Sequence, residues 1–127
     1  MSSFTTELKV SPQPDGKNWK VLEEFDYHVG SEDSNDVIHI PVDFLTDFAS
    51  IPEPFRMILS ILFGNWVKYN KAAPVHDFLC REHKRTNKEI DGIFYEAMLV
   101  DFRNHKYGKT VAKIEYYAVR YTAWLFR

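Results

Sequence analysis

The sequence has 127 residues, of which 45% are hydrophobic and 16% aromatic, and its formal net charge is −2. This is one domain's worth of chain with enough apolar content for a single core, which excludes a disordered or low-complexity polypeptide. The charge balance gives no overall case for nucleic acid, although the C-terminal helix is locally basic, and the single cysteine excludes an internal disulfide framework.

The start Met1-Ser2-Ser3-Phe4 precedes no apolar signal segment, and no run of about 18 apolar residues follows, so neither a secretory signal nor a transmembrane segment is expected. Phe4–Val10 alternates apolar and polar residues and reads as a strand. Ser11-Pro12-Gln13-Pro14-Asp15-Gly16 has turn chemistry, and Trp19–Tyr27 reads as the return strand of an antiparallel pair. Gly30–Asp36 is a polar loop whose acids read as solvated. Val37–Val42 is a short strand with His39 facing away from Ile38 and Ile40.

Asp43–Pro54 mixes aromatic residues with Thr46, Asp47 and Ser50. The two cap-type residues Asp47 and Ser50 either tie up loop backbone and the start of the next helix, or Asp47 faces a polar pair farther on. Pro54–Phe63 is a nearly all-apolar helix with proline in its first turn, too short to span a bilayer. Core is the better reading, with a surface for a partner or lipid as the alternative.

A central helix is expected from about Pro74 to Glu82. Thr86-Asn87-Lys88-Glu89 is a capping box that opens a helix from about Asn87 to Asn104, with Ile90, Phe94, Ala97, Met98 and Asp101 near one face and Asp91 beside it. Val111–Phe126 is the last helix, with a stripe of Ile114, Tyr117, Ala118, Tyr121 and Leu125 read as core.

The chemistry-bearing pair is His76-Asp77 on the central helix. The short link at residues 83–86 implies an antiparallel helical hairpin. His76 lies roughly 9 Å before the link and Asp91 roughly 7.5 Å after Thr86, at ~1.5 Å per residue, so the two sit at similar heights on facing helices. An Asp facing a His orients the imidazole and stabilises its charged form, leaving the other nitrogen to take a proton from water. Asp77 points about 100° away, towards a cation or the loop that carries Thr46, Asp47 and Ser50. Cys80, one turn after His76, reads better as a buried apolar residue than as a nucleophile. His76, Cys80 and His83 share a helix face but match no usual zinc spacing.

Thr46-Asp47-Phe48-Ala49-Ser50-Ile51-Pro52, then Ala72-Ala73 with His76-Asp77-Phe78-Leu79, then Ile90-Asp91, Phe94 and Ala97-Met98, resembles the phage and prophage family called domain of unknown function 1353, over roughly residues 19–120. The sequence departs from that pattern at Cys80, where the family has Tyr, and at Ile90, where it has Ala. The resemblance implies a phage origin and no established activity. More weakly, the His-Asp helix followed by an Asp-bearing antiparallel helix is similar to the catalytic helices of phospholipases A2. That likeness implies water activated by His76, an orienting Asp91, and Asp77 holding calcium; Asp47, on the loop that Asp77 faces, is the second residue expected near a divalent cation or substrate. The glycine-rich calcium loop and the disulfides of those enzymes are absent here.

The expectation is an α+β fold in one domain over residues 1–127. Residues 1–52 are mainly strands and loops, forming a small antiparallel sheet, and residues 53–127 are mainly helical, three to four helices against it. Two functions are compatible with these residues. One is a hydrolase-like site with His76 and Asp91 catalytic, Asp77 and Asp47 metal-facing, and Thr46 and Ser50 locking the loop or facing substrate. The other is a non-catalytic virion accessory or host-factor-binding protein in which the same residues are structural. The expected location is the host cytoplasm or the virion.

Overall fold

The computed structural model describes residues 3–4, 7–48, 53–67 and 70–126. Six short strands come first: β1 (Ser3–Phe4), β2 (Val10–Pro12), β3 (Trp19–Val21), β4 (Phe25–His28), β5 (Val37–Ile40) and β6 (Leu45–Thr46). Four helices follow: α1 (Glu53–Phe63), α2 (Ala72–Glu82), α3 (Asn87–Asp101) and α4 (Gly108–Phe126), with a 3₁₀ turn at Asn65–Val67 between the first two. The fold is α+β.

The strands form two antiparallel sheets, ordered β1-β4-β5 and β2-β3-β6, in place of the one sheet expected. Both long strands expected from the sequence are broken. The first contributes Phe4 to one sheet and Val10 to the other, and its would-be partner bends at Leu22–Glu24 between β3 and β4. Val21 pins the bend, because its N–H donates to Phe44 O (2.9 Å) and its carbonyl accepts from Asp43 N–H (2.8 Å). Leu22 and Glu24 are exposed there, whereas Val21 and Phe25 are buried. The turn after β2 is held by Asp15, whose Oδ1 accepts the N–H groups of Lys17 and Asn18. On β5, Ile38 and Ile40 point into the core while Val37 and His39 point out, the expected phase.

The helical hairpin also forms. Helix α2 starts at Ala72, two residues before the expected Pro74, and Asn70 ties down its first turn: its Oδ1 accepts Ala73 N–H (2.8 Å) and its Nδ2 donates to Val67 O (3.1 Å). Pro74 then falls in the first turn, where its missing N–H costs nothing. His83 adopts a left-handed conformation (φ 56°) and ends α2, and the Thr86 hydroxyl accepts Glu89 N–H (3.1 Å) to begin α3. Tyr27, Ile40, Leu79, Ile90, Phe94 and Met98 are fully or almost fully buried and join the first sheet to both arms of the hairpin. The Tyr27 hydroxyl also donates to Glu96 on α3 (2.6 Å).

Two helix faces differ from expectation. Helix α1 is not core: Leu59 and Ser60 are buried on one side, and Phe55, Met57, Ile58, Ile61 and Leu62 are exposed on the other. An apolar helix does not reveal by composition which of its faces is covered. Helix α4 begins at Gly108, where a side chain would sit 2.2 Å from the Phe102 carbonyl oxygen. Its buried face is Val111, Ala112, Glu115, Val119 and Ala123, whereas Tyr117, Tyr121 and Leu125 are exposed. Small residues let α4 approach closely, and the aromatic stripe is left outside. Among the described residues no helix is long and apolar enough to cross a membrane.

Candidate functional site

Helix α2 presents His76 towards α3, and the hairpin brings it against Asp91 as the height argument requires. His76 Nε2 lies 2.9 Å from Asp91 Oδ1. The second carboxylate oxygen, Oδ2, accepts from Arg120 Nη1 on α4, also at 2.9 Å. One carboxylate thus joins three helices. Asp91 is 0% exposed and His76 4% exposed, while Arg120 reaches solvent with about a third of its side chain. The Phe94 ring packs on the imidazole, with centroids 4.6 Å apart.

Burial alone lowers the His76 pKa, but the hydrogen bond to Asp91, with the Cys80 sulfur beside the ring, outweighs it and raises the pKa to about 9. The hydrogen bond to Asp91 is the largest of the raising causes. Cys80 Sγ lies 3.9 Å from both Nδ1 and Nε2, and a sulfur equidistant from both nitrogens lies along the N–H direction of neither. Cys80 is half-buried and packs on the ring, which fits the apolar role better than a nucleophilic one.

Asp77 turns away from this network and meets β6. The Thr46 hydroxyl, fully buried, donates to Asp77 Oδ2 and accepts Phe48 N–H (3.3 Å). Burial pushes the Asp77 carboxyl above the usual range, and nearby Asp47 adds to that, against the Thr46 hydrogen bond. Phe48 sits in the left-handed region at φ 57°, a position that costs a non-glycine residue about 1 kcal/mol. Its carbonyl is held by Arg56 Nη1 of α1, which also reaches Asp47 O (3.4 Å). Arg81 of α2 donates to Leu45 O (2.6 Å). The segment Leu45–Phe48 is therefore fastened to α1 and α2 at four points.

Of the residues singled out from sequence, His76 and Asp91 form one cluster, and Thr46, Asp77 and Asp47 a second beside it. Ser50 lies outside the described residues. Among those described, no group of three or more His, Cys, Asp or Glu side chains converges to hold a metal ion. Sequence reasoning missed Arg120. Its signal was a lone cation amid Tyr116, Tyr117 and Tyr121, obscured once the aromatic stripe was read as the buried face.

No solved structure matches the chain. It is 37% identical over 75 residues to "Uncharacterized protein y4iH" of Sinorhizobium fredii (strain NBRC 101917 / NGR234), a match that covers 58% of this chain and 28% of that protein. The sequence profile described as Protein of unknown function (DUF1353) matches residues 19–119, and the chain belongs to that family.

Proposed function

We propose that the chain is a non-catalytic phage or prophage accessory protein that works by binding a virion or host component, with the His76 and Asp77 clusters acting as internal locks. The observation that carries this reading is the saturation of Asp91: it is fully buried, with one oxygen on His76 and the other on Arg120. A charge network of that kind fixes the relative placement of three helices. The Thr46–Asp77 bond does the same for the Leu45–Phe48 segment. Phage origin rests on the motif resemblance.

A hydrolase reading draws on the same 2.9 Å contact and on the phospholipase-like order of His, Asp and second-helix Asp. In it His76 activates water, Asp91 orients His76, and Asp77 with Asp47 stands near a divalent cation such as calcium. Two features weigh against it. Substrate and water reach a general base through its exposed surface, and His76 has almost none. A pKa of about 9 also keeps the imidazole protonated at neutral pH, when a base must be free to accept.

The test is a broad hydrolase screen, with and without calcium, on wild type and His76→Ala, run beside thermal melts. The expected result is no hydrolysis that depends on His76 and a clearly lower Tm for the variant. A calcium-stimulated activity lost in His76→Ala at unchanged Tm overturns the proposal.

A further inference from the structure

We propose that α1 and the outer face of α4 form a docking surface for an anionic lipid bilayer. The inference rests on the reading of the chain as a binding protein and names the partner class.

The surface is apolar where a soluble protein exposes little. Ile61 is 76% exposed, Leu62 68% and Trp124 79%, and Phe55, Met57 and Ile58 extend the patch along α1. The two helices are neighbours. Phe55, near the start of α1, shares a groove of about 310 Å³ with Ala118, Tyr121 and Thr122 of α4. Phe63, at the end of α1, packs on Tyr107 just before α4, with ring centroids 5.6 Å apart. The two ends of α1 thus reach α4 and the turn before it, and the exposed apolar arc of α1 adjoins that side of the molecule. From Met57 to Phe63 the helix has no charged residue.

Charge decides between occupants. Residues 102–127 carry six Lys and Arg against a single acid, Glu115, and Glu115 is buried, in a chain whose overall net charge is −2. The exposed charges along α4 and the loop before it are therefore cationic: Arg103, Lys106, Lys109 and Lys113 are exposed. A second copy of this face would bring like charges together. Nucleic acid would leave Ile61 and Leu62 in water. An anionic bilayer meets both demands, because it accepts apolar side chains at the acyl boundary and attracts the cations beside them. Tyr117, Tyr121 and Trp124 supply the amphipathic rings that settle at headgroup depth. The proposed mode is interfacial: the apolar side chains reach the acyl boundary while both helices lie along the headgroups.

The experiment is co-sedimentation of the 127-residue chain with phosphatidylcholine vesicles, with and without phosphatidylglycerol, with oligomeric state measured by ultracentrifugation. Binding is expected only to the anionic vesicles, weaker at high salt, with a blue shift of tryptophan emission that Trp124→Phe reduces. Ile61→Glu with Leu62→Glu should weaken partition about tenfold or more at unchanged Tm, since both side chains lie outside the core. Lys109→Glu with Lys113→Glu should remove the preference for anionic lipid. Equal partition onto both vesicle types, no partition, retention by the Ile61/Leu62 variant, or a dimer that the same variant dissociates would each overturn the lipid assignment. None of these results touches the lock reading, which fails instead in the activity screen and melts of His76→Ala.

Discussion

His76 and Asp91 meet at 2.9 Å across the α2–α3 hairpin, with both side chains shut off from solvent, and Arg120 holds the far side of the carboxylate. Asp91→Asn keeps the shape and removes the charge. Two cations then face a neutral amide, one of them buried. Breaking a buried charge network in this way costs about 3–5 kcal/mol, or a fall in Tm of roughly 10 °C or more for a chain of this size. Urea and thermal denaturation measure it. A loss under about 1 kcal/mol would show that the network contributes little to placing the helices.

The complementary variant removes all three charges at once: His76→Leu, Asp91→Leu and Arg120→Met. No unpaired charge remains, and apolar replacements of similar volume are often neutral relative to the ion network. This triple variant should regain at least half of the stability lost in Asp91→Asn. His76→Leu alone should cost more than Arg120→Met alone, because Arg120 keeps part of its hydration. The opposite order would place the main burden on α4.

Much of this arrangement was legible in the residues. The capping sequence at Thr86 fixed where α3 starts, and the short link forced the antiparallel hairpin, so a rise of ~1.5 Å per residue sufficed to bring His76 level with Asp91. The strands were less legible. Alternation lapses at Val21-Leu22-Glu23-Glu24 and resumes in the same phase at Phe25, and the tertiary pairing of Val21 with Asp43 and Phe44 turns that short lapse into a bend between two sheets. Helix faces failed for a different reason. Hydrophobic periodicity weights large side chains, whereas α4 buries Ala112, Ala123 and Glu115 and exposes Tyr117 and Tyr121. Arg120 was missed along with that face.

Buried groups make stability depend on pH in one direction. His76 has its pKa raised from 6.5 to about 9, so its contribution is complete below 6.5 and is lost as pH climbs through about 9. The shift corresponds to roughly 3 kcal/mol. Glu115 is raised from 4.5 to about 8 by burial, against the pull of Arg56, and burial also raises Asp77. In each of these carboxyls the folded state keeps a proton that the unfolded chain gives up earlier, so stability again falls as pH rises. Thermal melts should show a maximum near pH ~5–6 and a drop of about 10 °C by pH ~9. Glu115→Gln should flatten the slope between pH ~5 and ~8. A Tm that rises from pH ~6 to ~9 would contradict the protonated state assigned to both residues.

The Thr46 hydroxyl has two duties in a fully buried position: it donates to Asp77 and accepts from Phe48 N–H. Thr46→Val keeps the volume and deletes both. Asp77 then faces burial without its donor, and the left-handed Phe48 loses one of its ties. The cost should be about 1–3 kcal/mol, the usual penalty for leaving buried polar groups unpaired. The Asp77 pKa should rise further, since the hydrogen bond that lowers it is gone. Hydrogen exchange at the Phe48 amide should accelerate more than at Ile40, which lies in the other sheet. Thr46→Ser restores the hydroxyl and should recover most of the protection at Phe48. If Val and Ser behave alike, methyl packing and not the hydrogen-bond pair holds the Leu45–Phe48 segment to α2.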